Sequence, residues 1–329
     1  MKAIIIKNAG KSSYLEWTEV PMVNRKAGEV IVKVRSTAVN RADLLQRLGL
    51  YPPPDGESQI MGLECAGEIV ETGPEVMNCK VGDRVCALLA GGGYADYVNI
   101  HRAMILPIPL SLSFDEAAAI PEAYYTAYVN LLDIGELKAG ETCLIYAGGS
   151  GVGTAAIQIA KFVKATVLAT AGSQEKMRRC IELGADHVFD HKEDQFISKI
   201  QQLTKVTGID LILDTIGAKH FANNIDLLSY RGRLILIGLL SGSMAEVDLG
   251  QVLKKNILMR GSTLRNLPIQ EKILLTQKIK SFVLPLFEDR VLKPVIDSVY
   301  PIQQIENAHQ RMLGNRNFGK IVISMVQQK

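Results

Sequence analysis

The sequence predicts an α/β protein of two domains, one built on a doubly wound parallel sheet and the other mainly β and assembled from both chain ends. Three observations predict it. Residues 144–158 pass from an apolar run, through Gly148-Gly149-Ser150-Gly151-Val152-Gly153, into a segment with helical apolar spacing. After this turn, short continuous apolar runs alternate with polar amphipathic stretches, the pattern left by strands that helices cover on both faces. Before it, strand-like segments are punctuated by turn residues and only one short helix interrupts them.

In chain order, strands are expected at 29–34, 64–70, 83–88 and 94–98, with turns at Gly73-Pro74 and Val81-Gly82-Asp83 and a short helix over 41–48. The glycine turn follows a strand beginning near Leu144, and Ala156, Ile159, Ala160 and Val163 mark the buried face of the next helix. A second strand spans 165–170 and closes a βαβ unit. Further strands are expected at 187–189, 211–214 and 233–238. A helix over 269–287 then leads to strands at 294–300 and 319–324, which are too small to fold alone and so return to the first domain. The expected division is 1–122 with 269–329, and 123–268.

The turn is how a chain prepares a pocket for pyrophosphate. Glycine allows a tight turn and close approach of backbone to phosphate, and the N–H groups and positive end of the following helix face the anion. Gly148 and Gly153 match the outer glycines of G-x-G-x-x-G, while Ser150 stands at the middle one. Backbone at Ala147, Gly148, Ser150, Gly151, Val152 and Gly153 is therefore assigned to a dinucleotide. At the end of the second strand, where enzymes that use NAD generally place an acid for the ribose hydroxyls, this chain has Thr170-Ala171-Gly172-Ser173. Gly172, Ser173 as a helix N-cap and Lys176 in the first turn form a lobe without a carboxylate. That favours NADPH, whose 2′-phosphate a hydroxyl and an ammonium can bind, although Lys176 taken alone reads equally as a surface lysine.

Composition excludes more than it assigns. With 329 residues, 47% of them hydrophobic and 22% charged, the chain can build two cores. A net charge of +3 is too small and dispersed for a nucleic-acid surface. No apolar run approaches the ~18 residues of a membrane span, and the start of the chain is too soon charged for a signal peptide, so a cytoplasmic protein is expected. Cys65, Cys79, Cys86, Cys143 and Cys180 are odd in number and form no C-x-x-C pair. They fit neither a disulfide framework nor a zinc lobe and read as small apolar residues.

The chain resembles the medium-chain dehydrogenase/reductase superfamily over essentially its whole length, and more closely its zinc-free quinone oxidoreductase branch. The resemblance rests on Asn40-Arg41-Ala42-Asp43 with Tyr51-Pro52-Pro53-Pro54, Gly62-Leu63-Glu64, Gly82-Asp83-Arg84-Val85, Gly92-Gly93-Tyr94-Ala95, Ala118-Ala119-Ile120-Pro121, the glycine turn, Thr170-Ala171-Gly172-Ser173 and Gly319-Lys320-Ile321-Val322. The Ser150 spelling and the stretch from Asn40 to the triple proline look most like the p53-inducible quinone oxidoreductase group. The implied architecture is a Rossmann nucleotide-binding domain beside a GroES-like catalytic domain, in a homodimer.

Zinc enzymes of the superfamily carry cysteine where this chain has Asn40, and histidine where it has Leu63. A catalytic zinc needs about three protein ligands, so no metal is expected. Without a Lewis acid, simple alcohol oxidation is disfavoured, whereas an electron-poor acceptor can take hydride from NADPH unaided. The resemblance implies a nicotinamide held at the cleft between the domains, positioned by Asn40 and Thr126 with the backbone of Gly238 and Leu239 facing its carboxamide. Tyr51 would line the acceptor pocket or simply cap the proline-rich turn, and Asp43 would hold the loop. Asn317 matches a cofactor-contacting position and also reads as a turn asparagine. His191 replaces a family tyrosine near the adenosine phosphate, and it either binds that phosphate or stands on the surface.

The expected activity is zinc-independent NADPH:quinone oxidoreduction. The alternatives are an NADPH-dependent reductase of α,β-unsaturated carbonyls and a non-catalytic NADPH-binding protein.

Overall fold

The computed structural model describes residues 1–325, and the chain forms two compact units, residues 1–125 with those from 264 onward, and Thr126–Thr263. The sequence expectation ends the nucleotide domain at 268. Arg265 explains the earlier boundary, since its guanidinium donates to the carbonyls of Ala90 (2.7 Å) and Tyr51 (2.9 Å) and to Gln46 Oε1 (2.8 Å), all in the first unit.

The unit from 126 to 263 is a six-stranded, all-parallel sheet. Its strands are β1 Thr142–Ile145, β2 Thr166–Ala171, β3 His187–Asp190, β4 Ile209–Asp214, β5 Leu228–Leu236 and β6 Leu258–Gly261, in the order β3-β2-β1-β4-β5-β6. The helices Gly151–Phe162, Gln174–Glu182, Phe196–Leu203, Phe221–Leu227 and Leu249–Lys255 connect them. Central strands are buried on both faces, with Leu144, Leu168, Ile212 and Leu234 fully inaccessible, which is why their apolar runs are continuous. The order reverses between β1 and β4, so the loops leaving these two strands diverge and open a crevice at their carboxyl ends. This is the Rossmann arrangement.

Two elements here differ from the sequence expectation. The run at 233–238 is the end of a longer strand that stops at Leu236, leaving Gly238 and Leu239 in the following loop. The edge strand β6 has no counterpart in that reading: its four residues are all exposed, and the apolar run Ile257-Leu258-Met259 on which it lies is only three residues long.

The other unit is built on a seven-stranded, largely antiparallel sheet. Its main path runs through Ile296–Pro301, Lys320–Ser324, Glu29–Val39, Glu64–Thr72, Arg84–Leu88 and Leu106–Pro107, with Tyr97–His101 also paired to Glu29–Val39. The strand Lys320–Ser324 near the end of the sequence thus lies against Glu29–Val39, Ile321 opposite Val39 and Ile323 opposite Thr37. A separate hairpin pairs Lys2–Lys7 with Tyr14–Glu19.

The strand expected at 94–98 forms instead at Tyr97–His101. Tyr94 serves another purpose: its backbone bonds to Met61 and Ile4 while its ring is buried. The helix expected over 269–287 runs without a gap from Ile269 to Glu288, its middle turn Ile279–Val283 wider than an ordinary helical turn. Pro285, which has no N–H to donate back, follows that wide turn.

Candidate active site

In the Rossmann unit the chain leaves β1 at Ile145 and turns through Tyr146–Ser150. Ala147 takes φ 52°, left-handed backbone that few side chains adopt. The turn is pinned to β2: Ala147 N–H donates to Thr170 Oγ1 (3.1 Å) and Gly148 N–H to the Thr170 carbonyl (2.8 Å). Helix and turn then meet too closely for a side chain. A Cβ on Gly153 would fall 2.3 Å from the Ala147 carbonyl oxygen, and one on Gly148 would press on Ala169 at 3.0 Å. Ser150 caps the helix, its Oγ accepting the Gly153 N–H at 2.9 Å. The middle glycine position is therefore a capping serine, and Gly151 and Val152 keep their N–H groups as helix-end donors. Such an end of a twelve-residue helix fits a pyrophosphate.

At the end of β2, Ser173 Oγ accepts the Lys176 N–H at 3.3 Å and starts the helix Gln174–Glu182. His191 lies over Gly172, since its amide donates to the Ala171 carbonyl (3.2 Å) and a Cβ on Gly172 would meet the imidazole Cε1 at 2.6 Å. Lys192 reaches the same spot, its Cε 3.4 Å from that Cβ position. The structure therefore gathers Gly172, Ser173, His191 and Lys192. Lys192 does not stand out in sequence, where it is one charge among several in Asp190-His191-Lys192-Glu193-Asp194. In the structure, Asp190 Oδ1 accepts the Lys192 backbone N–H at 3.0 Å.

The loops after β4 and β5 are laced together, Leu240 N–H to the Thr215 carbonyl (3.3 Å) and Ser241 N–H to the Ile216 carbonyl (2.8 Å). A Cβ on Gly238 would approach the Thr215 carbonyl oxygen to 2.9 Å, so glycine is needed there, while Leu239 stands 54% exposed. Below them Asp214 accepts from Ile216 N (2.6 Å), Gly217 N (3.1 Å) and Asn224 Nδ2 (3.0 Å), and Asn224 Oδ1 accepts from the Tyr146 hydroxyl (2.7 Å). This buried chain ties the β1 and β4 loops to each other. Thr215 Oγ1 is buried without a protein partner, an orphan that a bound ligand can satisfy. The Thr126 carbonyl accepts from Asn130 Nδ2 at 2.8 Å, a bond within its own helix and the turn that follows.

The other unit holds Asn40 inside a charged network. Asn40 Nδ2 donates to Glu64 Oε1 (2.7 Å), and Lys320 Nζ donates to Asn40 Oδ1 (2.5 Å), to Glu64 Oε1 (2.7 Å) and to the Val39 carbonyl (3.2 Å). Glu64 Oε2 accepts the Glu122 backbone N–H at 2.9 Å. Asn40 is thus an internal strut between an ammonium and a carboxylate, only 9% exposed. Asp43 Oδ2 accepts from Asn40 N (2.7 Å) and the Tyr94 hydroxyl (2.9 Å), fixing the first helical turn. Burial raises the Asp43 carboxyl to about 6, against the pull of those donors.

Tyr51 lies under Arg265, whose guanidinium carbon is 5.3 Å from the ring centre, and its hydroxyl has no hydrogen bond among the described residues. Burial and the Glu122 carboxyl both raise the Tyr51 hydroxyl from its ordinary value. Asn317 Nδ2 donates to the Gly319 carbonyl at 2.8 Å, a local turn contact. Glu64, Lys320, Glu122 and Arg265 carry this site without having been singled out by sequence. Among the described residues, no three His, Cys, Asp or Glu side chains gather as a metal would need.

Residues 151–280 match the zinc-binding dehydrogenase family model and residues 26–110 the alcohol dehydrogenase GroES-like domain. Quinone oxidoreductase of Lama guanicoe is 33% identical over 326 residues, covering 98% of this chain and 97% of that protein. Squalestatin tetraketide synthase of Phoma sp. is 32% identical over 97% of this chain, which spans only 12% of that much longer protein. The structure of Escherichia coli quinone oxidoreductase complexed with NADPH superposes with a TM-score of 0.87 at 26% identity, covering 98% of this chain and 99% of that one. The chain belongs to the medium-chain dehydrogenase/reductase superfamily, as a homologue of the quinone oxidoreductases.

Proposed function

We propose that this protein is an NADPH-dependent, zinc-independent quinone oxidoreductase of the p53-inducible type. The observation that carries the reading is the Lys320 ammonium seated on Asn40 and Glu64. Asn40 stands where zinc relatives carry a cysteine ligand, and here its amide is taken up by protein partners while an internal cation answers the Glu64 carboxylate. Bound NADPH supplies the hydride. The Rossmann unit would seat its pyrophosphate on the Gly151–Val152 helix end and its 2′-phosphate against Ser173, His191 and Lys192, beside the end of β2, which carries no acid in Thr170-Ala171-Gly172-Ser173. Tyr51 would offer an aromatic face and a hydroxyl to the acceptor. Orientation is then the protein's main contribution to the rate.

NADPH oxidation followed by absorbance across a panel of quinones and enals tests the reading. Turnover is expected with quinones, with NADPH favoured over NADH, and unchanged by a strong chelator. Loss of activity with the chelator and its return with zinc would overturn the zinc-free assignment. Faster enal than quinone turnover would instead make the protein an alkene reductase.

A further inference from the structure

A line of side chains, drawn from segments far apart in sequence, ends at Asn40. In the helix Ile305–Leu313, His309 is buried, its Nε2 3.4 Å from the Tyr94 hydroxyl and its Nδ1 3.5 Å from Arg47 Nη1. Arg47 is itself held by the Glu306 carboxylate (3.0 and 3.2 Å) and the Ser13 carbonyl (2.7 Å). A guanidinium has only donors, so Nδ1 accepts and the imidazole proton sits on Nε2, facing the Tyr94 oxygen. The phenol proton is thereby sent on to Asp43 Oδ2 at 2.9 Å, the same oxygen that accepts the Asn40 N–H at 2.7 Å. Every bond in the line points one way, toward the Asp43 carboxylate.

Asp43 depends on that line. It is fully buried, and Oδ1 has no partner among the described residues, so both of its donors fall on Oδ2. An ionised carboxylate in so dry a place needs each of them. Lys320 and Arg265 also favour its charge, whereas Glu64 and Glu122 oppose it. Asn40 is therefore gripped at two ends, its side chain by Lys320 and Glu64 and its backbone by a charge that Tyr94 and His309 sustain.

We propose, resting on the quinone reductase reading above, that Tyr94 and His309 are positioning residues, which keep Asp43 ionised and so hold the Asn40 loop in the shape hydride transfer requires. Burial raises the Asp43 carboxyl to about 6, against the pull of Asn40 and Tyr94. The rate should thus fall as pH drops through about 6, because a protonated Asp43 loosens its hold on the Asn40 N–H.

The test follows NADPH oxidation with a methyl-substituted benzoquinone against pH. Tyr94→Phe keeps the ring and removes the donor, so its acid limb should lie roughly one pH unit higher than in the wild type. Such a shift lowers kcat about fivefold at pH 6 and leaves the alkaline plateau within about twofold. His309→Leu should move the limb the same way by less, and His309→Gln, which offers Tyr94 an N–H again, should restore it. Asp43→Asn cannot ionise, and should give the wild type's low acid rate at every pH. NADPH affinity, read by fluorescence, should hold within about threefold throughout, which separates positioning from cofactor binding.

An acid limb left in place by Tyr94→Phe, whatever its plateau, would make these residues merely structural and overturn the proposal. So would a limb that persists in Asp43→Asn, or none in the wild type. Should Asp43→Asn fail to fold, as urea unfolding would show, Tyr94→Phe decides alone. A wild type that reduces no quinone would overturn the reductase reading and this proposal with it, whereas turnover with unmoved variant profiles would overturn this proposal only.

Discussion

Lys320 Nζ and Glu64 Oε1 lie 2.7 Å apart, with side chains only 5% and 0% exposed, and Asn40 bonds to both. Two charges in so dry a place stand only because they have each other and three further hydrogen-bond partners. The pair is therefore an organising centre for the loop at Asn40, the strand at Glu64 and the helix that begins at Pro121.

Lys320→Met is expected to destabilise the fold by about 3–5 kcal/mol, the cost of leaving a buried carboxylate uncompensated. Adding Glu64→Gln should recover part of that loss, because the uncompensated charge is gone and the amide oxygen still accepts the Glu122 N–H, while the amide NH2 faces Asn40, whose own amide can turn its oxygen to it. Urea unfolding midpoints of the single and double variants check this. A double variant no more stable than Lys320→Met would show that packing, not charge, sets the loss.

His191→Ala and Lys192→Ala should each weaken NADPH binding, since both side chains reach the space above Gly172. One charge-assisted hydrogen bond contributes about 1.5–3 kcal/mol, so about a tenfold rise in Kd is expected. NADH affinity should stay unchanged. Isothermal titration with both cofactors decides, and parallel losses would move the 2′-phosphate elsewhere.

His309 is 1% exposed, its ring edge-on to Tyr94 at 6.0 Å between centroids. Burial, with the nearby Arg47 guanidinium, lowers it to about 3. The unfolded chain therefore binds a proton between the ordinary histidine value of ~6.5 and about 3 that the folded state refuses. The resulting stability is present above pH ~6.5 and lost as pH falls through that window, by about 1.4 kcal/mol per unit at most. His309→Gln should flatten this part of the acid-stability curve. Thermal melts from pH 7 to 4 give the slopes, and an identical slope in the variant would assign the acid sensitivity to other groups.

Local chemistry made the Rossmann unit legible. The glycine turn, its capping serine and the continuous apolar strands each leave a mark within a dozen residues, and the missing acid after β2 pointed to the lobe where His191 and Lys192 meet. The other unit was less legible because its polar contacts are long-range. Glu64 and Lys320 are separated by 256 positions, and each appeared in sequence only as part of a short motif with no visible partner. Asn40 stood out in sequence within its own motif, but its place as a strut depends on both of them. The edge strand β6 carries only the short apolar run Ile257-Leu258-Met259, too brief to separate from the end of the preceding helix, whereas the helix from Ile269 to Glu288 was legible through its apolar spacing.

The pairing of Ile321 with Val39 and of Ile323 with Thr37 sets an order on the birth of the molecule. A ribosome releases the whole of residues 126–263 well before it makes residue 320, so the Rossmann sheet can close while the other sheet still lacks an interior strand. On the order of tens of seconds separate the emergence of Asn40 from that of Lys320 at ordinary elongation rates. Throughout that interval Glu64 has no ammonium to meet. The nascent first unit thus waits with an open sheet edge and an unmatched carboxylate, a form that chaperones and proteases can distinguish from the finished protein.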